Sequence, residues 1–336
     1  MTSPFTGGKA TQLSEKRELE FRKEKFKITQ FFYRCEDTKE EFTTEELDQL
    51  NLNQLYNQYR EKYSIPFPDE IKAIREQYGL SASKMSEILG FGINSYRQYE
   101  ADDIPTVANG RLILAAKDPA EFKKFIEASR LVLSDRDYEK FISQVNDLIE
   151  TERKDTWEKL FIDHIFTYSK PSEFTGYKRP SLEKIAHTIS YFTYKVDYLW
   201  KTKLNKLLFY TDFLHYKRTG YSVCGIAYRA IQLGPVPAEY DKLYVKLLDD
   251  DLFDVEFIPF KANGYMGEAL RNKINFDETL FTPTELKVLG EVSAAFAPKT
   301  SSEIVDISHE EKAWLENESN HEIISYQKYA FDIKAL

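Results

Sequence analysis

Three polar residues, Asn94, Arg97 and Gln98, are spaced to share one face of a helix, because helical neighbours lie three and four positions apart. Asn and Gln side chains pair bidentately with the adenine edge, and Arg pairs with guanine or with a phosphate. This polar trio therefore has the chemistry to read bases in a DNA groove. The alternative is an ordinary three-helix core with a polar outer face, and periodicity alone favours that alternative.

Residues 69–103 must position the trio, and they contain three short amphipathic segments separated by glycines. Gly79 ends the first segment, as a residue just past a helix does. Gly90 and Gly92 flank a tight turn before the third segment, which runs from Ile93 to about Glu100. Two helices joined by a short Gly-containing turn form the DNA-binding helix-turn-helix, whose second helix enters the major groove. We therefore expect a helix-turn-helix with the polar trio on its recognition helix.

The ordered segments IREQYGL, MSEILGFG and YRQYE resemble the Xre-like helix-turn-helix, most closely the version in MqsA-type antitoxins. The resemblance implies that Glu100 pairs with Arg75 of the first helix. We predict DNA contacts from residues on the third segment and, as weaker phosphate candidates, from residues near it: Asn94, Ser95, Arg97, Gln98, Ser83, Lys84 and Arg111.

The chain has 336 residues, a net charge of −9 and two cysteines. This length suits about two or three domains. Two cysteines are too few for a disulfide scaffold or a four-cysteine zinc site, and they suit a reducing cytoplasm. No run of about 18 apolar residues predicts a membrane span. The negative net charge disfavours sequence-blind DNA binding, so any DNA contact must come from a local basic face.

The first 66 residues predict a small β element followed by a helix. Ile28–Cys35 is aromatic and predicts a strand. Glu45–Tyr63 carries an apolar stripe at helical spacing and predicts a helix. We expect a short hairpin-based unit before this helix; a helix over Ser14–Lys27 is the alternative.

The resemblance to MqsA-type antitoxins continues through YRCEDTKEEFTTEELDQLNLNQLYNQYREKY. In zinc-bearing relatives, paired cysteines hold the N-terminal ribbon, whereas residues 1–66 here contain one cysteine, Cys35, and no histidine. A structural zinc site needs about four Cys or His ligands. We therefore predict a degenerate, metal-free ribbon in which Cys35 packs as a small side chain.

Residues 131–168 are charged and predict a helical arm. Apolar residues recur between Leu131 and Ile149 in a pattern that is heptad-like in places. This stripe predicts either a connecting arm with a dimer contact or a solvated linker helix, and the two are equally favoured.

The C-terminal half predicts an α-rich core with a hairpin. Thr202–Lys217 is a helix with many aromatic residues, and Gly220 ends it. The sequence GIAYRAIQLGPVP then predicts a short strand and a Gly-Pro turn, which are followed by a proline-started helix, AEYDKLYVKLL. Asp212 and His215 are three positions apart, and we expect a hydrogen-bonded pair rather than a catalytic dyad. No HExxH, CxxC pair, GxSxG or phosphate loop occurs, so we predict no enzyme, no cofactor and no metal site.

Three separated segments of this half occur in one order: LNKLLFYTDFLHYKRTGYSVCGIAYRAIQLGPVPAEYDKLY, FTPTELKVLGEV and SSEIVDISHEEKAW. They resemble the Panacea, or SocA-like, antitoxin domain over roughly residues 181–331. The resemblance implies a module that neutralises a toxin by binding it. His309 and Trp314 fall in the last segment, where we expect a packing contact rather than a metal site.

Aromatic side chains often anchor protein interfaces. We therefore predict that partner binding uses aromatic residues from the second helix of this half and from the segments after it: Tyr210, Phe213, Tyr216, Tyr221 and Tyr240.

The predicted fold is mainly α with small β elements, in four segments. These are a metal-free ribbon with a helix (1–66), a helix-turn-helix domain (67–130), a helical linker (131–168) and a Panacea domain with a short hairpin (169–336). The predicted function is a cytoplasmic antitoxin, with a cognate toxin, operator DNA and a second copy of itself as partners, and no membrane contact. The alternatives are a transcription regulator whose C-terminal domain senses a ligand or dimerises, and a proteolytic adaptor.

Overall fold

The computed structural model describes residues 1–259 and 266–336, with the backbone alone for residues 152–164 and 259. The described chain is mainly helical with small antiparallel sheets, which confirms the predicted fold class. It divides into two compact units: unit 1 joins Met1–Gln54 to Ile165–Leu336, and unit 2 is Leu55–His164. The N-terminal segment thus shares a unit with the C-terminal half. Among the described residues, no helix combines the length and apolar character that a bilayer crossing requires.

Unit 1 begins with a long hairpin. β1 (Ala10–Phe21) pairs antiparallel with β2 (Glu24–Cys35), and the short β3 (Glu41–Phe42) pairs with the end of β2. Arg22 and Lys23 form the two-residue turn with φ of 50° and 68°, the left-handed pattern that matches strand twist. The strand predicted over Ile28–Cys35 is confirmed, and the alternative helix over residues 14–27 is wrong.

Helix α1 (Glu45–Tyr63) has the predicted bounds. Its side-chain amides supply hydrogen bonds to the edge of β2. Asn51 accepts from the Phe31 N–H at 2.8 Å and donates to the Phe31 carbonyl at 2.9 Å. Gln54 does the same for Thr29, at 2.9 and 2.8 Å. A strand edge that presents free N–H and C=O groups to solvent is a liability, and these two amides cover it locally.

Unit 2 is helical. After α1 its helices are α2 (Pro68–Glu76), α3 (Ala82–Ile88), α4 (Ser95–Glu100), α5 (Val107–Ala115), α6 (Pro119–Ala128) and α7 (Asp135–Ile165). Apolar side chains from α2 to α7 form one buried cluster that includes Ile71, Met85, Tyr96 and Ile113.

Helix α7 contributes its apolar stripe to the core of unit 2. Phe141 and Val145 are buried there, and Ile149 packs against the same cluster. Leu131, by contrast, precedes the helix and is 99% exposed. The stripe predicted to serve a dimer contact or a solvated linker is therefore largely covered within its own unit, and residues 131–149 are not a separate arm.

The rest of unit 1 consists of α8 (Leu182–Lys195), β4 (Leu199–Trp200), α9 (Lys201–Thr219), β5 (Tyr228–Ile231), β6 (Gly234–Pro237), α10 (Tyr240–Asp249), β7 (Phe253–Pro259), β8 (Met266–Asn272), α11 (Pro283–Phe296), α12 (Ser301–His309), α13 (Lys312–Leu315) and α14 (Tyr326–Tyr329). Short 3-10 turns lie at Glu278–Leu280 and Ala330–Asp332. β4, β8 and β7 form a sheet that the sequence did not predict, and β5 pairs with β6.

Helix α9 lies at the centre of unit 1. Every residue from Lys203 to Tyr216 is buried, so the helix is covered around its whole circumference. It ends as predicted at Gly220, whose φ of 78° is a left-handed conformation that glycine adopts without strain. The helix predicted after the Gly-Pro turn is present as α10, but its predicted proline start is wrong: Pro235 and Pro237 lie in β6, and α10 begins at Tyr240.

Candidate functional site

The polar trio lies on the surface of unit 2. Arg97 and Gln98 are exposed on α4, and Asn94 is exposed at its N-cap position, where its side chain makes no cap hydrogen bond. Ile93 precedes them and is 72% exposed. Apolar side chains contact the methyl group of thymine, and this exposed side chain lies beside three residues of types that pair with bases. Sequence reasoning missed this residue, since an isoleucine at a segment start is usually assigned to the core.

Helix α4 is fixed from its inner side. Tyr96 is fully buried and donates its O–H to the Ile71 carbonyl at 2.8 Å. Arg75 donates through Nε and Nη2 to the two carboxylate oxygens of Glu100, at 2.5 and 3.1 Å, and through Nη1 to the Leu80 carbonyl at 2.9 Å. The predicted Arg75–Glu100 pair is confirmed. Its two parallel bonds set the geometry at the end of α4, as bidentate pairs do.

The weaker DNA candidates differ in their surroundings. Arg111 is exposed, and Ser83 and Ser95 are half-buried. Lys84 is held within unit 2: its Nζ lies 2.8 Å from a Glu87 oxygen and 3.1 Å from an Asp137 oxygen. These two carboxylates raise the pKa of Lys84. A phosphate would have to displace both, so Arg111 is better placed than Lys84 for that contact.

Three of the five aromatic residues predicted to bind a partner lie in the core of unit 1. Tyr210, Phe213 and Tyr216 on α9 are fully buried. Phe213 stacks on Tyr326 with ring centroids 4.1 Å apart, and Tyr210 stacks on Phe296 at 4.5 Å. The structure therefore gives these three rings a packing role in place of the surface role that the sequence predicted.

Tyr221 and Tyr240, the remaining two, are half-buried and reach the surface. The Lys178 ammonium lies 5.5 Å from the Tyr221 ring centroid. Tyr240 is the first residue of α10 and lines a cavity described below.

Asp212 and His215 both hold the loop after α9. Their hydrogen bonds go to this loop and not, as the sequence predicted, to each other. One Asp212 oxygen accepts from the N–H groups of Val223 and Cys224 at 2.8 and 2.7 Å, and the other accepts from the Tyr228 hydroxyl at 2.9 Å. His215 Nδ1 lies 2.7 Å from the Tyr221 carbonyl oxygen. Burial raises the pKa of Asp212 to about 6, against the opposing effect of these donors. This is the geometry of a structural anchor.

A cavity of about 190 Å³ lies where the start of α9, the β5–β6 hairpin and α10 meet. It is lined by Lys201, Thr202, Asn205, Lys206, Ile231, Leu233, Val236, Tyr240, Asp241 and Tyr244. Lys206 is fully buried, and its Nζ has no hydrogen-bond partner among the described residues. Burial lowers the pKa of Lys206 to about 7.

Gly234 allows β6 to lie close to α9. Its φ is +93°, and a Cβ there would lie 2.7 Å from Lys206 Cε and 3.2 Å from Nζ. Only glycine permits this approach. Nearby, the His309 and Trp314 rings stack with centroids 3.9 Å apart, and Trp314 Nε1 donates to the Ile231 carbonyl at 2.8 Å. The predicted packing contact between His309 and Trp314 is confirmed.

Comparison with protein families gives a match to part of the C-terminal half of the chain. Residues 204–315 match the family model for the SocA-like antitoxin, Panacea domain. The match supports the Panacea resemblance and an antitoxin role. It runs from Leu204, within α9, to the end of α13, and it includes Asp212, Lys206, His309 and Trp314. No curated protein and no solved structure matched the chain.

Proposed function

We propose that this protein is the antitoxin of a type II toxin–antitoxin system: it neutralises a partner toxin by direct binding and represses its own operon through a helix-turn-helix. The observation that carries the proposal is the match of residues 204–315 to the SocA-like antitoxin domain. In this proposal residues 169–336 bind the toxin and residues 67–130 bind the operator in the cytoplasm.

The α4 surface supports the DNA part of the proposal. Asn94, Arg97 and Gln98 are exposed together, whereas the opposite side of α4 is fixed by Tyr96 and Glu100. A rigid short helix with a polar outer face suits base recognition, because base contacts need side chains held in register. Helix-turn-helix proteins bind as dimers to half-sites about 34 Å apart. We propose a homodimer whose contact lies outside the covered stripe of α7.

The surface positions of Tyr221 and Tyr240 support the partner part. Of the five aromatic residues predicted to bind the toxin, these two are accessible to it without unfolding the core around α9. Tyrosine is enriched among residues whose truncation costs about 2 kcal/mol or more in an interface. We therefore place the toxin surface around these two residues and not around the buried rings of α9.

An operator-binding assay tests the DNA part. Replacing Asn94 and Gln98 together by Ala should weaken binding to the protein's own promoter by about 1–3 kcal/mol per lost base contact. Asn146→Ala, which truncates an exposed amide on α7, is the matched control and should bind like the wild type. Unchanged affinity of the double variant would remove α4 from the DNA interface.

Co-expression with the product of the neighbouring gene tests the partner part. The wild-type chain should restore growth and co-purify with that product. Tyr240→Ala should weaken both. Tyr216→Phe should change neither, because Tyr216 is buried and the substitution keeps its ring, removing only the hydroxyl that donates to Gln327. If the Tyr240 and Tyr221 variants fold and rescue fully, the toxin surface lies elsewhere.

A transcription regulator with a ligand-sensing C-terminal domain is the second candidate. The cavity, which has a buried lysine without a partner among the described residues, favours it, since a binding site combines a concave surface with a few polar groups. Repression that responds to a small molecule and does not depend on any toxin would support this candidate over the first.

A further inference from the structure

Lys206 and Lys203 occupy α9 three positions apart, and the fold treats them differently. Lys203 is 3% exposed, and its ammonium donates to the carbonyls of Ala297 and Lys299 at 2.8 and 2.5 Å. Lys206 is 0% exposed, and among the described residues its ammonium has no acceptor. A buried charge without a partner is costly, so such groups are paired, coordinate a ligand, or shift their pKa towards the neutral form.

The groups around the cavity supply further donors. The Asn205 Oδ1 accepts from the Tyr244 hydroxyl at 2.6 Å, so the donor that Asn205 has left is its Nδ2 amide. Thr202 adds a hydroxyl, one turn before Lys206 on α9. Ammonium, amide and hydroxyl donors together match the oxygen atoms of a small oxyanion.

Among the described residues, no acidic side chain lies within hydrogen-bond distance of the Lys206 ammonium. Asp241 lines the cavity from α10 but is exposed to solvent. Glu268 is held in an ion pair by Lys201. On α12, burial and the Lys206 charge both lower the pKa of His309, which favours a neutral ring. The lining therefore combines a buried ammonium at Lys206 with a solvent-exposed carboxylate at Asp241.

The cavity has room for a small anion. Water takes about 30 Å³ per molecule in the liquid, so about 190 Å³ accommodates several water-sized groups. A second cavity of about 620 Å³ shares Lys201, Thr202 and Leu233 with the first. A ligand larger than a free anion would extend into this second cavity.

We propose that the cavity between α9, the β5–β6 hairpin and α10 binds the phosphate or carboxylate group of a small molecule, with the Lys206 ammonium as its counter-ion. Asn205 and Thr202 supply additional hydrogen bonds. The three donors all lie on α9, so the site needs no second protein to form, and Tyr240 of the proposed toxin surface lines the same cavity.

Equilibrium binding of inorganic phosphate, sulfate and acetate to the full-length chain tests the proposal. At least one of these anions should bind with saturation at one equivalent in the millimolar range. Lys206→Met keeps the length of the side chain without its charge, and it should weaken binding at least tenfold. Lys287→Met, on the exposed face of α11, is the matched control and should bind like the wild type. Absence of saturable binding, or equal binding by the Lys206 variant, would overturn the proposal.

The pH dependence of sulfate binding provides a second test on the wild-type chain alone. Sulfate keeps its charge between about pH 6 and about pH 9, whereas a lysine whose pKa is about 7 loses its proton over this range. The pKa of His309 is lowered from its ordinary value, chiefly by burial, so its ring is neutral over most of this range. The affinity should fall at least tenfold as the pH rises, and a constant affinity would overturn the assignment of Lys206.

Discussion

Replacing Lys206 by Met should stabilise unit 1 at neutral and mildly acidic pH. Burial lowers the pKa of Lys206 from 10.5 to about 7, so the unfolded chain binds this proton more tightly than the folded chain does. One pKa unit corresponds to about 1.4 kcal/mol, which sets a ceiling of about 5 kcal/mol on the cost of the charged lysine. Apolar replacements of buried charges stabilise proteins by about 1–4 kcal/mol. We expect a gain of about 2–4 kcal/mol in the free energy of unfolding at about pH 6.

The sign of the pH dependence follows from the same linkage. Below pH 7 both states hold the proton, and the cost is complete. Between pH 7 and 10.5 the folded chain has released the proton and the unfolded chain has not, so the stability of the wild type rises with pH. The advantage of the Lys206→Met variant should therefore shrink as the pH rises from about 7 to about 10.

Urea denaturation followed by tryptophan fluorescence measures this effect, because two of the three tryptophans, Trp200 and Trp314, lie in unit 1. The buried tyrosines titrate in both chains. Subtracting the free energy of unfolding of the wild type from that of the variant at each pH therefore removes their contribution. Lys203→Met is the matched control. It removes the donor from the carbonyls of two half-buried residues, Ala297 and Lys299, and should destabilise the chain by about 1–3 kcal/mol in total. A Lys206→Met chain that is less stable than the wild type, or an advantage that does not change with pH, would refute the reasoning.

Two further predictions concern the anchors of the two units. Glu100→Gln removes the charge that holds Arg75, and it should lower the free energy of unfolding of unit 2 by about 1–3 kcal/mol in thermal or urea melts. Glu121→Gln, which changes one member of an exposed ion pair, is the control and should leave the melt unchanged. Equal effects of the two substitutions would contradict the role of the Arg75–Glu100 pair. Asp212→Ala leaves two backbone N–H groups and a tyrosine hydroxyl without their acceptor in the core, so it should destabilise unit 1 by at least about 3 kcal/mol; a melt like that of the wild type would show that the loop after α9 is held by other contacts.

The elements that the sequence predicted best have a local signal. The bounds of α1 follow from acidic residues at Glu45 and Glu46 and from a regular apolar stripe. The end of α9 follows from Gly220, since a left-handed cap favours glycine. By contrast, the turn of the N-terminal hairpin uses Arg22 and Lys23 instead of Asn-Gly, so the helix alternative remained open.

The elements that the sequence did not predict depend on tertiary packing. The stripe of α7 is periodic whether it covers a second chain or, as here, the core of unit 2. The aromatic residues of α9 suggested surface anchors because an all-round buried helix shows no contrast between its faces. Lys206 has no sequence signal at all: a lysine in LNKLL is usually assigned to solvent, and only the three-dimensional arrangement shows that it is buried without a partner among the described residues.

The most direct test of the antitoxin role is co-purification of the full-length chain with the product of its neighbouring gene, combined with growth of cells that express both. The proposal predicts a stable complex that survives size-exclusion chromatography and growth restored to that of cells without the toxin. A neighbouring product that inhibits growth, is not rescued by this chain and forms no complex with it would contradict the proposal.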